Sequence, residues 1–177
     1  MSTAMCGRGS RKISTHDVCR HEFASVLTIM PKNAKDEIDE LLNGVLPFAQ
    51  QMLSEYGEFL PYGGALTSEG ELIDIGASNE EEYPSSQELI DLMTESFQAM
   101  AESGEYRATA IVCDVRVVVP STRNSSDAIR VLLDHVKGES VEVLLPYEAK
   151  EGGEISYGEM FAQKGEARIF KTEKRGH

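Results

Sequence analysis

Four residues near the N-terminus, Cys6, His16, Cys19 and His21, have side chains able to bind a transition metal. Their spacing, C-x9-H-x2-C-x-H, lacks the paired short separations that close a tetrahedral zinc site, so no metal is expected there. Asp134-His135 has the residue types of an orienting carboxylate and a general base. On a strand, neighbouring side chains point to opposite faces and cannot readily bond each other. A partly buried structural histidine is therefore the reading for His135. Cys113 lies in an apolar alternation with no evident cationic neighbour, where burial raises a thiol's pKa and leaves it inert. Nucleophile elbows, zinc-protease helices, Walker loops and dinucleotide fingerprints are all missing from the sequence. No cofactor, metal or catalytic residue is predicted, and the balance favours a chain without a catalytic centre.

The glycine-rich stretch "EFLPYGGALTSEGELIDIGA", residues 58–77, invites comparison with a phosphate cradle. Such a cradle opens into a helix whose free amides meet the anion. Here a turn at Ser68–Glu71 and a second apolar run follow instead, with Glu69 and Glu71 to repel phosphate. The stretch reads as a β-hairpin in which Gly63-Gly64 marks a bulge or close backbone packing. The tripeptide Leu-Pro-Tyr occurs at 60–62 and again at 145–147. Proline within a sheet requires an edge or a bulge, so Tyr62 and Tyr147 are expected to be half-exposed edge contacts. With the acidic run Glu80, Glu81 and Glu82, they are the candidate interaction surface.

The elements that must position these residues are legible in the periodicity. Ile38, Leu41, Leu42, Val45, Ala49, Met52, Leu53 and Tyr56 recur at helical spacing after a cap at Asn33, and Gly57 ends the run. Pro47 predicts a kink within it or two abutting helices. Ser85 and Glu88 form a capping box for a second helix, with Leu89, Ile90, Met93, Phe97, Met100 and Ala101 buried and Gly104 at its end. From 106 to 120 the period becomes 2: Ile111, Cys113, Val115, Val117 and Val119 share one face, while Asp114 and Arg116 lie on the other. Residues 127–137 fit both a helix and the first arm of a hairpin, and the alternation of Val141, Val143 and Leu145 favours the hairpin. A short helix near 157–163 and a last strand at 167–170 complete the list.

The expected fold is α+β: an antiparallel sheet of about five strands with two main helices on one face. The order is α-β-β-α-β-β-β, then a short helix and strand, which resembles the roadblock/longin arrangement, whose domains often dimerise. The patterns "GEFLPYGG", "CDVRVVVP", "LLPY" and "YGEMFA" also resemble a group of small bacterial α+β proteins with no activity attached to them. That resemblance spans about residues 35–170 and implies a fold without implying a catalytic residue.

Of the 177 residues, 30 are acidic and 17 are lysine or arginine, a formal net charge of −13. Clustered cations are what nucleic acid and anionic lipid require, so neither is an expected partner, whereas a basic protein is. Residues 1–29 carry a net +2 and lack sustained periodicity, which predicts a poorly ordered extension and makes Met30 an alternative start. Residues 30–170 are expected to form one domain and 171–177 a polar tail. Three cysteines without short spacing, and no secretory leader, predict a cytoplasmic protein. The function that fits is a protein–protein interaction module, self-associating or bound to a basic partner. A small enzyme or a ligand-sensing domain with an unfamiliar pocket is the alternative.

Overall fold

Asn33 starts the first helix by reciprocal hydrogen bonding. In the computed structural model, which describes residues 32–76 and 84–171, its side chain accepts from the Asp36 amide at 2.9 Å. The Asp36 carboxylate in turn accepts from the Asn33 amide at 3.3 Å. Helix α1 spans Ala34–Tyr56 and ends on Gly57, whose φ of 76° suits a residue without a Cβ. The same device starts α2, Ser86–Glu102: Ser85 caps the Glu88 amide and Glu88 reaches back to Ser85. The Ser85 hydroxyl first, and then its amide, donate to the Glu88 carboxylate and hold it below its ordinary pKa.

Seven strands follow the expected order: β1 (Tyr62–Thr67), β2 (Leu72–Gly76), β3 (Tyr106–Val118), β4 (Ser125–His135), β5 (Ser140–Ala149), β6 (Ile155–Tyr157) and β7 (Phe161–Lys164). Each pairs antiparallel with its neighbours in the order β2-β1-β3-β4-β5-β6, with β7 also on β5. The class is α+β. Residues 125–149 take the hairpin form, and Gly138 sits at its turn with a φ of 86°.

Three expectations change. Among the described residues the strand count is seven, not about five. No helix forms at 157–163; that stretch supplies the end of β6 and most of β7, while 167–170 is irregular. Pro146 explains the split. Its carbonyl accepts from the Gly158 amide at 2.8 Å, but its nitrogen has no hydrogen to continue the ladder. The chain therefore pairs with β5 on either side of it, β6 at 147–149 and β7 at 141–144.

The third change concerns the helices, which pack on opposite faces rather than on one. Ile38, Leu41, Val45 and Leu53 of α1 form a core with Ala108, Ala110, Val112, Ile129 and Val131. Ile90, Met93 and Phe97 of α2 pack instead with Ile111, Cys113, Ile169 and Phe170. Side chains alternate along a strand, so 108, 110 and 112 face away from 111 and 113. The run Ala108–Cys113 is apolar or small on both faces, as a doubly covered strand requires.

At the glycine pair a side chain from each helix reaches down to the sheet backbone. A Cβ on Gly63 would lie 2.7 Å from Phe97 of α2 and 3.0 Å from the Ala110 carbonyl oxygen. One on Gly64 would lie 2.5 Å from Val45 of α1. Gly63→Ala and Gly64→Ala should each cost about 1–3 kcal/mol through overpacking. Gly76→Ala, whose Cβ would meet nothing within 4 Å, should be neutral or slightly stabilising. Urea midpoints of the three variants test this ordering.

Candidate functional site

The buried ionisable side chains are committed to holding the fold together. Glu37 of α1 receives Nε2 of His135 at 2.7 Å and Nε of Arg107 at 3.1 Å, and the Arg107 guanidinium also pairs with its other oxygen. The Lys137 amide donates to Nδ1 of His135 at 3.1 Å. Nδ1 therefore acts as an acceptor, Nε2 carries the hydrogen given to Glu37, and no ring lone pair is left for base chemistry. His135 is completely buried, so the expected partial burial is exceeded. Asp134 points to the other face. It accepts from Ser140 Oγ at 2.5 Å and from the amides of Arg168 and Ile169 at 2.8 and 2.7 Å, which pins the C-terminal segment against the sheet. The two residues form no dyad.

Cys113 is buried, and burial raises its thiol pKa. A cationic neighbour does exist: Arg130 lies opposite it across β3 and β4 and partly offsets that rise. Among the described residues no cluster of three or more His, Cys, Asp or Glu is placed to hold a metal, and no helix is long and apolar enough to cross a membrane. Cys6, His16, Cys19, His21, the extension at 1–29, Glu80, Glu81, Glu82 and most of the tail lie outside the described residues.

The two tyrosines singled out above are not half-exposed. Tyr147 is 7% exposed, because β6 covers the edge that Pro146 was expected to mark. Its hydroxyl donates to the Asp114 carboxylate at 2.9 Å. Burial first, and then this carboxylate, push the Tyr147 phenol well up. Partial burial also raises the Asp114 carboxyl, against the lowering effect of the phenol's bond. Nearby, Arg116, Ser126, Asp127 and Tyr147 border a polar hollow of about 700 Å³. Arg116 and Asp127 pair across it at 3.6 Å in an exposed position.

Tyr62 is likewise 7% exposed, and its role is structural at one end and superficial at the other. The hydroxyl accepts from the Ala49 amide at 3.0 Å and donates to the Val45 carbonyl at 2.5 Å. These two groups pair with each other in an unbroken helix, so the phenol bridges the ladder around Pro47. Helix α1 stays continuous through the proline. The ring packs edge-on against Phe48 at 4.9 Å and Phe59 at 6.1 Å between centroids.

That ring is part of the floor of an apolar trough. Phe48, Met52 and Tyr56 line one side, spaced one helical turn apart, and Phe59, Leu60, Pro61 and Gly76 continue it, enclosing about 520 Å³. A second hollow of about 230 Å³ shares Phe48, Tyr62 and Gly76 and reaches Gly44 and Asp74 beside β2. Phe48, Tyr56 and Leu60 are 48%, 70% and 59% exposed. Tyr56 thus leaves the buried stripe assigned to it. The available signal was Phe48, a large apolar residue off that stripe, with Met52 and Tyr56 following at intervals of four.

No protein-family model, no curated protein and no solved structure matches the chain. The likeness to the roadblock/longin order therefore stays a likeness of element order.

Burial raises the Tyr62 phenol far above its ordinary pKa near 10. Ionisation is consequently easier in the unfolded chain, and stability contributed by the neutral phenol is lost as pH rises above about 10. The loss should approach about 1.4 kcal/mol per pH unit from this residue. Tyr62→Phe should remove that share of the slope and cost about 1–3 kcal/mol at neutral pH by orphaning the Ala49 amide. Urea unfolding of both proteins from pH 8 to 11 checks both effects.

Proposed function

We propose that this chain is a non-catalytic protein-interaction module whose binding surface is the trough at the β2 end of the sheet. One observation carries the reading: Phe48, Met52, Tyr56, Leu60 and Pro61 gather around a single open hollow instead of scattering over the surface. Contiguous exposed apolar surface with aromatic residues is characteristic of a contact site. The acidic composition supports a basic protein as the partner, and the cysteine pattern supports a reducing, cytoplasmic setting. Self-association is the competing use of the same surface.

A second reading, a domain that senses a small polar ligand or acts on one, draws on the hollow beside Tyr147 and Asp114. It ranks lower because the tyrosine and carboxylate already satisfy each other and Arg116 is paired with Asp127.

Met52→Glu and Tyr56→Ser should each abolish recovery of a partner by affinity capture from the source cell at low salt. Leu92→Ser, at an exposed position on α2, should leave recovery unchanged. Identical recovery with all three variants would remove the trough from the reading. Recovery of the chain alone would favour self-association.

A further inference from the structure

We infer that the trough binds its partner by strand addition: an extended segment carrying alternating apolar and basic residues pairs with the outer edge of β2. The inference rests on the interaction-module reading above and specifies its partner and geometry.

The edge comes first. Among the described residues β2 pairs only with β1, and Leu72, Asp74 and Gly76 along it are exposed, so no described segment bonds to its other side. The register shows which backbone groups face that side. The Thr67 amide donates to the Glu71 carbonyl at 2.9 Å, which makes 67 and 71 a bonded pair. Bonded and non-bonded pairs alternate along an antiparallel ladder, so Ile73 and Ile75 also bond inward to Ala65 and Gly63. The amides and carbonyls of Leu72, Asp74 and Gly76 are left facing outward. Such a row is a template for another strand.

The trough lies beside this edge on the α1 face, where Gly76 contributes to its wall and Asp74 to that of the adjoining hollow. A guest strand on β2 would therefore project every second side chain toward Phe48 and Tyr62.

Charge identifies the guest. Between Lys35 and Arg107 the chain contains seventeen carboxylates and no lysine, arginine or histidine, whereas residues 107–177 carry eleven acidic and eleven basic side chains. The whole negative excess is thus concentrated in the segment that forms β1, β2, α2 and all but the first two residues of α1. Among the described residues, the only ionisable groups lining the two hollows, apart from the tyrosines, are Glu58 and Asp74. A second copy fits this edge badly. Antiparallel pairing of β2 with itself is centred on Asp74, which would set two carboxylates directly opposite each other with Glu69 and Glu71 close behind. Lysine or arginine on the guest turns the same field into attraction.

The test uses the full chain and two short acetylated peptides, one alternating valine and lysine, the other valine and glutamate. Binding is followed by fluorescence anisotropy and the edge by amide hydrogen exchange. The lysine peptide should bind, more weakly as salt rises, and should slow exchange at Leu72, Asp74 and Gly76 by about tenfold or more while leaving Ile73 and Ile75 nearly unchanged. The glutamate peptide should not bind. Asp74→Pro removes an outward amide together with the carboxylate, at a position where an edge strand tolerates proline, and should abolish binding. Asp74→Asn keeps that amide and should only weaken it. A lysine peptide N-methylated on alternate amides tests the same bonds without altering the protein, so the result stands even if Asp74→Pro does not fold.

Binding that survives both proline and N-methylation, with no protection of the three amides, would overturn strand addition and leave the trough as a binding surface. Equal binding of the two peptides would overturn the basic partner. Protection of the three amides in the chain alone, growing with its concentration, would assign the edge to a second copy. No binding by either peptide, with the three amides freely exchanging, would make the acidic edge a guard against aggregation and overturn the inference.

Discussion

A strand covered on both faces must let a helix approach from either side, and the middle of a sheet has no spare room for side chains. In this protein β1 meets that constraint with Gly63 and Gly64, one under Phe97 of α2 and the other under Val45 and Leu41 of α1. The helices can then rest on backbone while their large side chains fill the space a Cβ would need. The neighbouring residue, Tyr62, fastens the arrangement by bridging Val45 and Ala49 of α1. Pro47 and Tyr62 belong to one device: the proline disrupts the helix ladder locally, and the phenol satisfies two of the groups next to the disruption. Bonded there, Tyr62 presents its ring to the trough as a fixed floor.

The polar interior has a parallel logic. Glu37 joins α1 to the ends of β3 and β4 through Arg107 and His135, and Asp134 holds the C-terminal segment on the opposite face. A buried charge without a partner is strongly destabilising, so each carboxylate is saturated with donors. Saturation removes these groups from chemistry. The excess of carboxylates lies between Lys35 and Arg107, where it acts as a field rather than as a set of reagents.

Much of this was legible in the residues. Both caps, both helices, the β1–β2 hairpin and the β4–β5 hairpin follow from Asn33, Ser85, Glu88, Gly57 and the alternation after Tyr106. That Gly63-Gly64 marks a bulge or close backbone packing, and not a phosphate cradle, was legible too, because no helix follows the pair; the structure selects the close packing. The errors came from partners distant in sequence. Pro146 implies an edge or bulge at Tyr147, but β6 pairs beside it. Residues 157–163 have spacing compatible with a helix, yet the open side of β5 offered them a ladder, and tertiary pairing outweighs so short a local preference. The trough was missed because Phe48 looks like an ordinary surface residue until Leu60 and Pro61 are brought beside it.

By itself the sequence determined the two main helices with their caps, the two hairpins and their order, the absence of known catalytic motifs and the concentration of negative charge. Those depend on neighbours within a few positions, or on counting. Only the tertiary structure decided that the helices take opposite faces, that β2 is left at an edge, and that Phe48, Tyr56 and Leu60 meet there. Such outcomes arise from which surfaces bury one another, and alternation along a strand offers two faces without naming the helix that will cover either.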